Sequence, residues 1–289
     1  MAYTFEEIVG IVRQRQDIQS PLLNKMIEIK ERYNGEYVIP LPSMDEEPVL
    51  PPLTPALISE NIDAIAQRAA SVTPYIGCPA IDPSKERGKR SRQYADIRKR
   101  ALAATWYQNK YKLKMRRAYR HLAGYATTAL VVNPDFENGM PKIEVRDPLG
   151  VYPEPQAAEN YDVPRNCAFV YGKSGDWLRA NYPAARQENG GPVASDENAR
   201  QELWDCCEWI DEEHIVIGIM GPRYNHYNQT YPYHSTQLEL SRYENLAGMP
   251  CVITPGRVTL DKISSSVSNV VGMVDLMAKL MALELIAQE

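Results

Sequence analysis

Cysteine is scarce and irregularly placed in this sequence. Cys78, Cys167, Cys206, Cys207 and Cys251 form an odd set without one C-x-x-C spacing. That excludes a disulfide framework and a zinc ribbon, and it points to a reducing compartment. Adjacent Cys206 and Cys207 face opposite sides if their segment is a strand, so they do not share a metal. Histidine is rarer still, at four. No HExxH occurs, and His226 and His234, within and just after the tyrosine-rich loop 224–233, lack the convergent cysteines or carboxylates of a zinc site. G-x-S-x-G is absent, and no acid pair stands out. The first residues hold no basic start followed by an apolar run, so no secretory signal is visible. No membrane is expected either: the apolar span 270–287 contains Asp275, Lys279 and Glu284, and each charge at mid-membrane costs about 2.5–3.5 kcal/mol. No period of 20–50 residues repeats, which removes solenoids and propellers.

One phosphate-loop fragment is present, Tyr171-Gly172-Lys173-Ser174. The P-loop needs a glycine five residues before its G-K-[ST] glycine, so that backbone amides can wrap the phosphates. Cys167 occupies that place, and the segment reads as a plain strand-to-helix turn. The expectation is a non-enzymatic protein without cofactor or metal.

Charge is what the chain has in an uneven supply. Its net charge is −5, yet fourteen Lys or Arg stand against Glu86 and Asp96 between Lys85 and Arg120, a local +12 that leaves −17 for the remainder. Such asymmetry suits nucleic acid or an acidic partner, or a solvated helix face. Proline (22) and glycine (16) are spread along the chain, as expected for many short elements joined by defined turns.

Hydrophobic spacing places those elements. Thr4-Phe5-Glu6-Glu7 has capping-box spacing, and Ile8, Val9, Ile11 and Val12 predict a helix to about Gln19. Ser20-Pro21 reads as an N-cap with proline at the first position of a second helix, which carries Leu22, Leu23, Met26, Ile27 and Ile29 and ends near Tyr33-Asn34-Gly35. Residues 38–55 read as an extended acidic and proline-rich connection. Thr54-Pro55 repeats the start signal, and Leu57, Ile58, Ile62, Ile65 and Ala69 predict a helix to about Val72. In the basic stretch Tyr94, Ile97, Ala101 and Ala104 make one stripe. Tyr111, Met115, Ala118 and Leu122 make another, on a helix after Gln108-Asn109. The pattern then turns to period two: strands are predicted at Ala126–Val132, Lys142–Arg146, Cys167–Tyr171, Leu203–Ile210, His214–Met220 and Leu238–Glu244, with a short helix at Asp176–Tyr182 and loops at 135–139 and 186–199. Thr259–Glu289 is the strongest helical pattern. Leu260, Ile263, Val267, Val270, Val274, Met277 and Met281 form one apolar seam, and Leu276, Leu280, Leu283 and Ala287 form a second beside it. No stop signal precedes Glu289.

The order of these pieces resembles the phage portal family, the ring subunits through which tailed-bacteriophage DNA is threaded. A basic helix feeds Gly124-Tyr125-Ala126-Thr127-Thr128-Ala129-Leu130-Val131-Val132. After a turn comes Ile143-Glu144-Val145-Arg146-Asp147-Pro148-Leu149-Gly150-Val151-Tyr152-Pro153, similar to the family's hairpin that ends in a D-P-x-x-V-Y-P turn. Glu31-Arg32-Tyr33-Asn34-Gly35 looks like the family's early helix end. Tyr243-Glu244-Asn245-Leu246-Ala247-Gly248-Met249-Pro250 resembles the strand and N-x-x-G-x-P turn before its first stem helix. The resemblance rests on order and spacing over nearly the whole chain, and nothing matches the family's clip, second stem helix, tunnel loop or crown.

The resemblance implies an α+β fold: N-terminal helices and connection over 1–53, a wing-like body of helices on antiparallel strands over 54–258, and the start of a stem helix over 259–289. It also implies a homo-oligomeric ring, a dodecamer, at one capsid vertex of the virion. Its expected partners are double-stranded DNA in the channel, the large terminase subunit, the major capsid protein or scaffold, and a head-tail adaptor. Lys110, Lys112, Lys114, Arg116 and Arg117 are the candidate contacts to DNA or an acidic partner, since they lie largely off the apolar stripe. Val267, Val270, Val274, Met277, Leu280, Met281 and Leu283 are the candidate subunit interface of the stem, with Asp275 and Lys279 facing the channel. The rival reading is a basic-helix nucleic-acid-binding protein acting as a monomer or dimer. No helix-turn-helix, zinc-finger or RNA-recognition signature accompanies its charges.

Overall fold

The computed structural model describes residues 3–36, 56–72, 76–79, 88–133, 139, 141–155, 164–185, 201, 203–222, 237–245 and 248–255. The fold is of mixed helix and strand with antiparallel sheets, in the order α1 (Phe5–Asn34), α2 (Leu57–Ser71), α3 (Gly88–Gln108), α4 (Tyr111–Tyr125), β1 (Thr127–Asn133), β2 (Lys142–Arg146), β3 (Val151–Pro153), β4 (Asn166–Ser174), α5 (Gly175–Asn181), β5 (Leu203–Asp211), β6 (His214–Pro222), β7 (Leu238–Glu244) and β8 (Cys251–Pro255). One sheet runs β2-β1-β8 and the other β3-β4-β5-β6-β7. The chain divides into two compact units, Met1–Leu23 with Leu149–Cys251, and Asn24–Pro148 with Val252–Glu289. The division therefore passes inside the stretch 54–258 that the sequence treats as one body.

The first unit is a five-stranded meander with the start of α1 packed on it. All four of its strand pairs are antiparallel. Phe5, Ile8, Val9 and Val12 recur at helical spacing and form one buried cluster with Tyr152, Ala168, Cys207, Trp209 and Val216. The capping box starts the helix as expected: the Thr4 amide donates to Glu7 Oε2 at 2.8 Å and the Glu7 amide to Thr4 Oγ1 at 3.3 Å. Cys206 and Cys207 do face opposite ways, Cys207 into this cluster and Cys206 into a second one with Leu178, Trp204 and Ile219. Arg15 is buried too. Its guanidinium donates to the Tyr152 carbonyl at 3.0 Å and to Asn166 Oδ1, and lies 5.2 Å from the centre of the Trp209 ring. Burial pushes its pKa down, and those acceptors together with the ring face stand in for the lost water.

Two motifs of the first unit acquire physical reasons. Gly150 closes a 3-10 turn, Pro148–Gly150, and a methyl group added there would lie 2.0 Å from the Val170 carbonyl oxygen. Only glycine lets that turn approach β4. In the Asn245–Pro250 motif, the Asn245 side-chain amide donates to the carbonyls of Asp211 and Gly248, its backbone amide donates to the Glu213 carbonyl at 2.8 Å, and Gly248 takes φ +69°. Lys173 and Ser174 are not a turn but the last two residues of β4, which passes directly into α5. Ser174 Oγ accepts from the Trp177 amide at 3.3 Å, and the Lys173 ammonium lies 4.4 Å from the centre of the Trp177 ring.

Three further expectations are corrected. The two N-terminal helices are one: α1 continues through Pro21. Proline cannot donate to the Asp17 carbonyl, a loss of about 3 kcal/mol relative to alanine in a helix interior. Buried Ile8, Val9 and Val12 on one side of it and Met26 and Ile29 on the other offset that cost by packing. The second correction is β3: Val151–Pro153, read as a turn, is an edge strand paired with β4. Pro153 is tolerated there because an edge strand need not donate on its outer side. The third is β8, unrecognised in the sequence, although Val252, Ile253 and Thr254 between Pro250 and Pro255 are its signal. The predicted end of α1 is confirmed. Gly35 takes φ +72°, its amide donates to the Arg32 carbonyl, and the Glu36 amide donates to the Glu31 carbonyl, the two bonds of a Schellman cap.

Candidate nucleic-acid interface

The described basic residues of the stretch lie on two helices of the second unit, α3 and α4, and on Lys110, which with Asn109 joins them. Asn109 is buried and uses its whole side-chain amide. Its Nδ2 donates to the Thr105 carbonyl at 2.9 Å and the Pro141 carbonyl at 2.8 Å; its Oδ1 accepts from the Ile143 amide at 2.8 Å and from the Lys114 ammonium at 3.0 Å. The turn that periodicity places at Gln108-Asn109 is thus tied to the start of β2. Lys110 reverses the chain in the left-handed region, at φ 50°. Trp106 and Tyr111 stack across the turn with centroids 4.9 Å apart.

This geometry divides the five candidate contacts. Lys110, Lys112 and Arg117 are exposed. Lys114 is half-buried and donates to Asn109 Oδ1 and to the Ile143 carbonyl. Burial lowers its pKa, while the Glu144 charge opposes the shift. Lys114 therefore serves the packing of α4 on β2, which spacing on the helix does not reveal. Arg116 is half-buried, with its Nε covered and without a hydrogen-bond partner among the described residues.

Arg116 stands near a small network that the sequence does not announce. Arg120 Nε donates to Asp63 Oδ1 at 2.6 Å, and Tyr33 Oη donates to the same oxygen at 3.0 Å. Burial pushes the Asp63 carboxyl up, but the hydrogen bonds from Arg120 and Tyr33 and the charges of Arg120 and Arg116 outweigh it and hold it below its ordinary value. The network ties α1, α2 and α4 above the cluster of Ile29, Ile58 and Ile62. These groups form a partly exposed ion pair, which stabilises little, and their effect is to orient α4.

Helix α3 differs. Its expected stripe is exposed at Tyr94 (51%) and Ile97 (60%), and only Gly88 and Ala95 are buried along the whole helix. The periodicity is genuine, but none of the described elements covers it. Lys89, Arg90, Arg92, Arg98, Lys99 and Arg100 are all exposed. Arg90 and Arg98 are occupied with Tyr94, the first at its hydroxyl and ring and the second at its carbonyl.

Further along α4, His121 and Tyr125 lie with ring centroids 5.7 Å apart. Burial drives the His121 pKa down to about 4, assisted by Arg117 and opposed by Asp147 and by a hydrogen bond to the Arg146 backbone. Burial, then the Asp147 charge, drives Tyr125 up to about 12. Both groups are neutral at pH 7. Unfolded His121 titrates near 6.5, so between that pH and about 4 the unfolded chain binds the additional proton. Its contribution to stability is complete above about pH 6.5 and is lost as pH falls through that window, by about 1.4 kcal/mol per unit. Urea unfolding of the protein at pH 7 and pH 5 is expected to differ by about 2 kcal/mol from this group. His121→Gln, which cannot charge, is expected to remove that part of the difference, and an unchanged pH dependence would refute the assignment.

The stem-seam residues Val267, Val270, Val274, Met277, Leu280, Met281 and Leu283, the pair Asp275 and Lys279, and the loop histidines His226 and His234 lie outside the described residues. Among the described residues no helix is long and apolar enough to cross a membrane, and no group of three His, Cys, Asp or Glu side chains is arranged to hold a metal ion. No family model and no curated protein matches the chain.

Proposed function

We propose that this chain is the wing region and first stem helix of a tailed-phage portal subunit. In this reading the protein forms a dodecameric ring at one vertex of the virion and conducts double-stranded DNA during packaging and ejection. The ring docks the large terminase subunit, the capsid protein or scaffold, and the head-tail adaptor. The observation that carries the reading is an order of elements. A basic helix, α4, leads directly into the hairpin β1–β2, whose second strand is followed by the 3-10 turn Pro148–Gly150 and the edge strand β3; the antiparallel meander that β3 opens leads through the Asn245–Pro250 motif to the apolar pattern at 259–289. The mechanism is geometric: heterologous contacts close into a ring around a channel wide enough for duplex DNA. No group on the protein needs to react.

Light scattering and electron microscopy of the purified protein test this. Closed rings far above the 32.7 kDa of one chain are the expected result. Leu280→Asp, which places a charge in the second apolar seam, is expected to abolish ring closure with the circular dichroism of the subunit little changed. A monomer at every salt concentration would refute the portal reading. The exposed cations of α3 favour the second reading, a nucleic-acid-binding protein that acts as a monomer or dimer; DNA binding without rings would favour it.

A further inference from the structure

Helix α3 has two faces. Tyr94, Ile97, Ala101 and Ala104 follow a 3-4-3 spacing on one. Lys89, Arg92, Asp96 and Lys99 follow the same spacing about half a turn away, with Arg100 beside them. The second face bears four exposed cations against the single carboxylate of Asp96. Lys89, Arg92 and Arg100 make no ion pair or hydrogen bond among the described residues, and Asp96 makes none either. At about 1.5 Å per residue the row from Lys89 to Arg100 covers about 16 Å of a rigid helix.

We propose that this face of α3, through Lys89, Arg92 and Arg100, rests against the phosphate backbone of duplex DNA. The structure thereby adds α3 to the contact that the sequence places at α4, where Lys110, Lys112 and Arg117 remain exposed. On α4 the Lys114 ammonium is held by Asn109 and Ile143, and Arg120 is held by Asp63. Charge complementarity selects a polyanion. Duplex DNA presents one negative charge per about 1.7 Å along its axis and requires no apolar surface in return. An acidic protein face would bring apolar area, and the cationic face of α3 offers none to meet it, because the apolar stripe lies on the other side. The donors are point charges and forks with no base edge to select, so the contact positions DNA without reading it. That DNA is the polyanion rests on the proposed portal function; where it rests follows from the structure.

The test uses the purified protein and a random-sequence DNA duplex of thirty base pairs, with binding followed by fluorescence anisotropy from 50 to 200 mM salt. Replacing Lys89, Arg92 and Arg100 together by glutamine is expected to lower the slope of log K against log salt by about 2.7, roughly 0.9 per phosphate contact. The charge-preserving set Lys89→Arg, Arg92→Lys and Arg100→Lys is expected to keep the slope. Circular dichroism should be that of the parent in both, since all three side chains are exposed. A slope unchanged by the glutamine variant overturns the proposal. So does polyglutamate binding as tightly as the duplex and being lost equally, which would make the partner an acidic protein. The two readings separate cleanly: rings with an unchanged slope refute only the α3 contact, and a monomer with a reduced slope refutes only the portal.

Discussion

Replacing Asn109 by alanine is expected to cost the second unit about 4 kcal/mol, read as a fall in the urea midpoint of the purified protein. The reason lies in what the deletion leaves behind. Four hydrogen bonds converge on this one buried amide. Without it the Ile143 amide and the Pro141 carbonyl lose their side-chain partner, and the half-buried Lys114 ammonium keeps only the Ile143 carbonyl. An orphaned buried polar group costs about 1–3 kcal/mol, and more when it is charged. Asn109→Asp keeps the acceptor contacts to Ile143 and Lys114, but its second oxygen cannot donate and would face the Thr105 and Pro141 carbonyls, so it is not expected to recover the loss. An unchanged midpoint in Asn109→Ala would show that Asn109 is only a helix-end residue.

Gly150→Ala is expected to destabilise the first unit by about 3 kcal/mol, at the upper end of what overpacking costs. The added methyl group would stand 2.0 Å from the Val170 carbonyl oxygen, and that oxygen belongs to a strand paired on both sides, with β3 and with β5. A side chain could rotate away, but a strand hydrogen-bonded on both sides cannot. Gly10→Ala is the matching control, because nothing lies within 4 Å of the position a Cβ would take there; in a helix interior that change is expected to stabilise by up to about 1 kcal/mol. If Gly150→Ala unfolds at the parental midpoint in calorimetry, the close approach of the 3-10 turn to β4 is wrong. The consequence reaches the family resemblance: in Asp147–Pro153 the glycine is a packing requirement of the fold, separate from any contact with a partner.

The local elements were legible in the sequence because their signals are local. A capping box, a Schellman glycine, a 3.6-residue period and a change to period two depend on residues within one or two turns of each other, so α2, α4, β2 and β7 appear where the pattern places them. Pro21 shows the limit. A proline after serine is as good a helix start as it is a tolerated interruption, and the burial of Ile8, Val9 and Val12 before it and of Met26 and Ile29 after it decided for one helix. Strand β8 shows another, since four residues between prolines carry too little pattern to declare themselves. The basic stretch is the clearest case. Composition determined that residues 85–120 hold an excess of positive charge, and spacing determined which residues share a helical face. Neither could say that Lys114 donates to a carbonyl from β2, that Arg120 is held by Asp63 from α2, or that Tyr94 and Ile97 of the α3 stripe are left exposed by the described elements. Those outcomes depend on groups 29 and 57 residues away in the chain. Only tertiary packing brings such partners within hydrogen-bonding distance, and so it alone decided which cations remain available to a ligand.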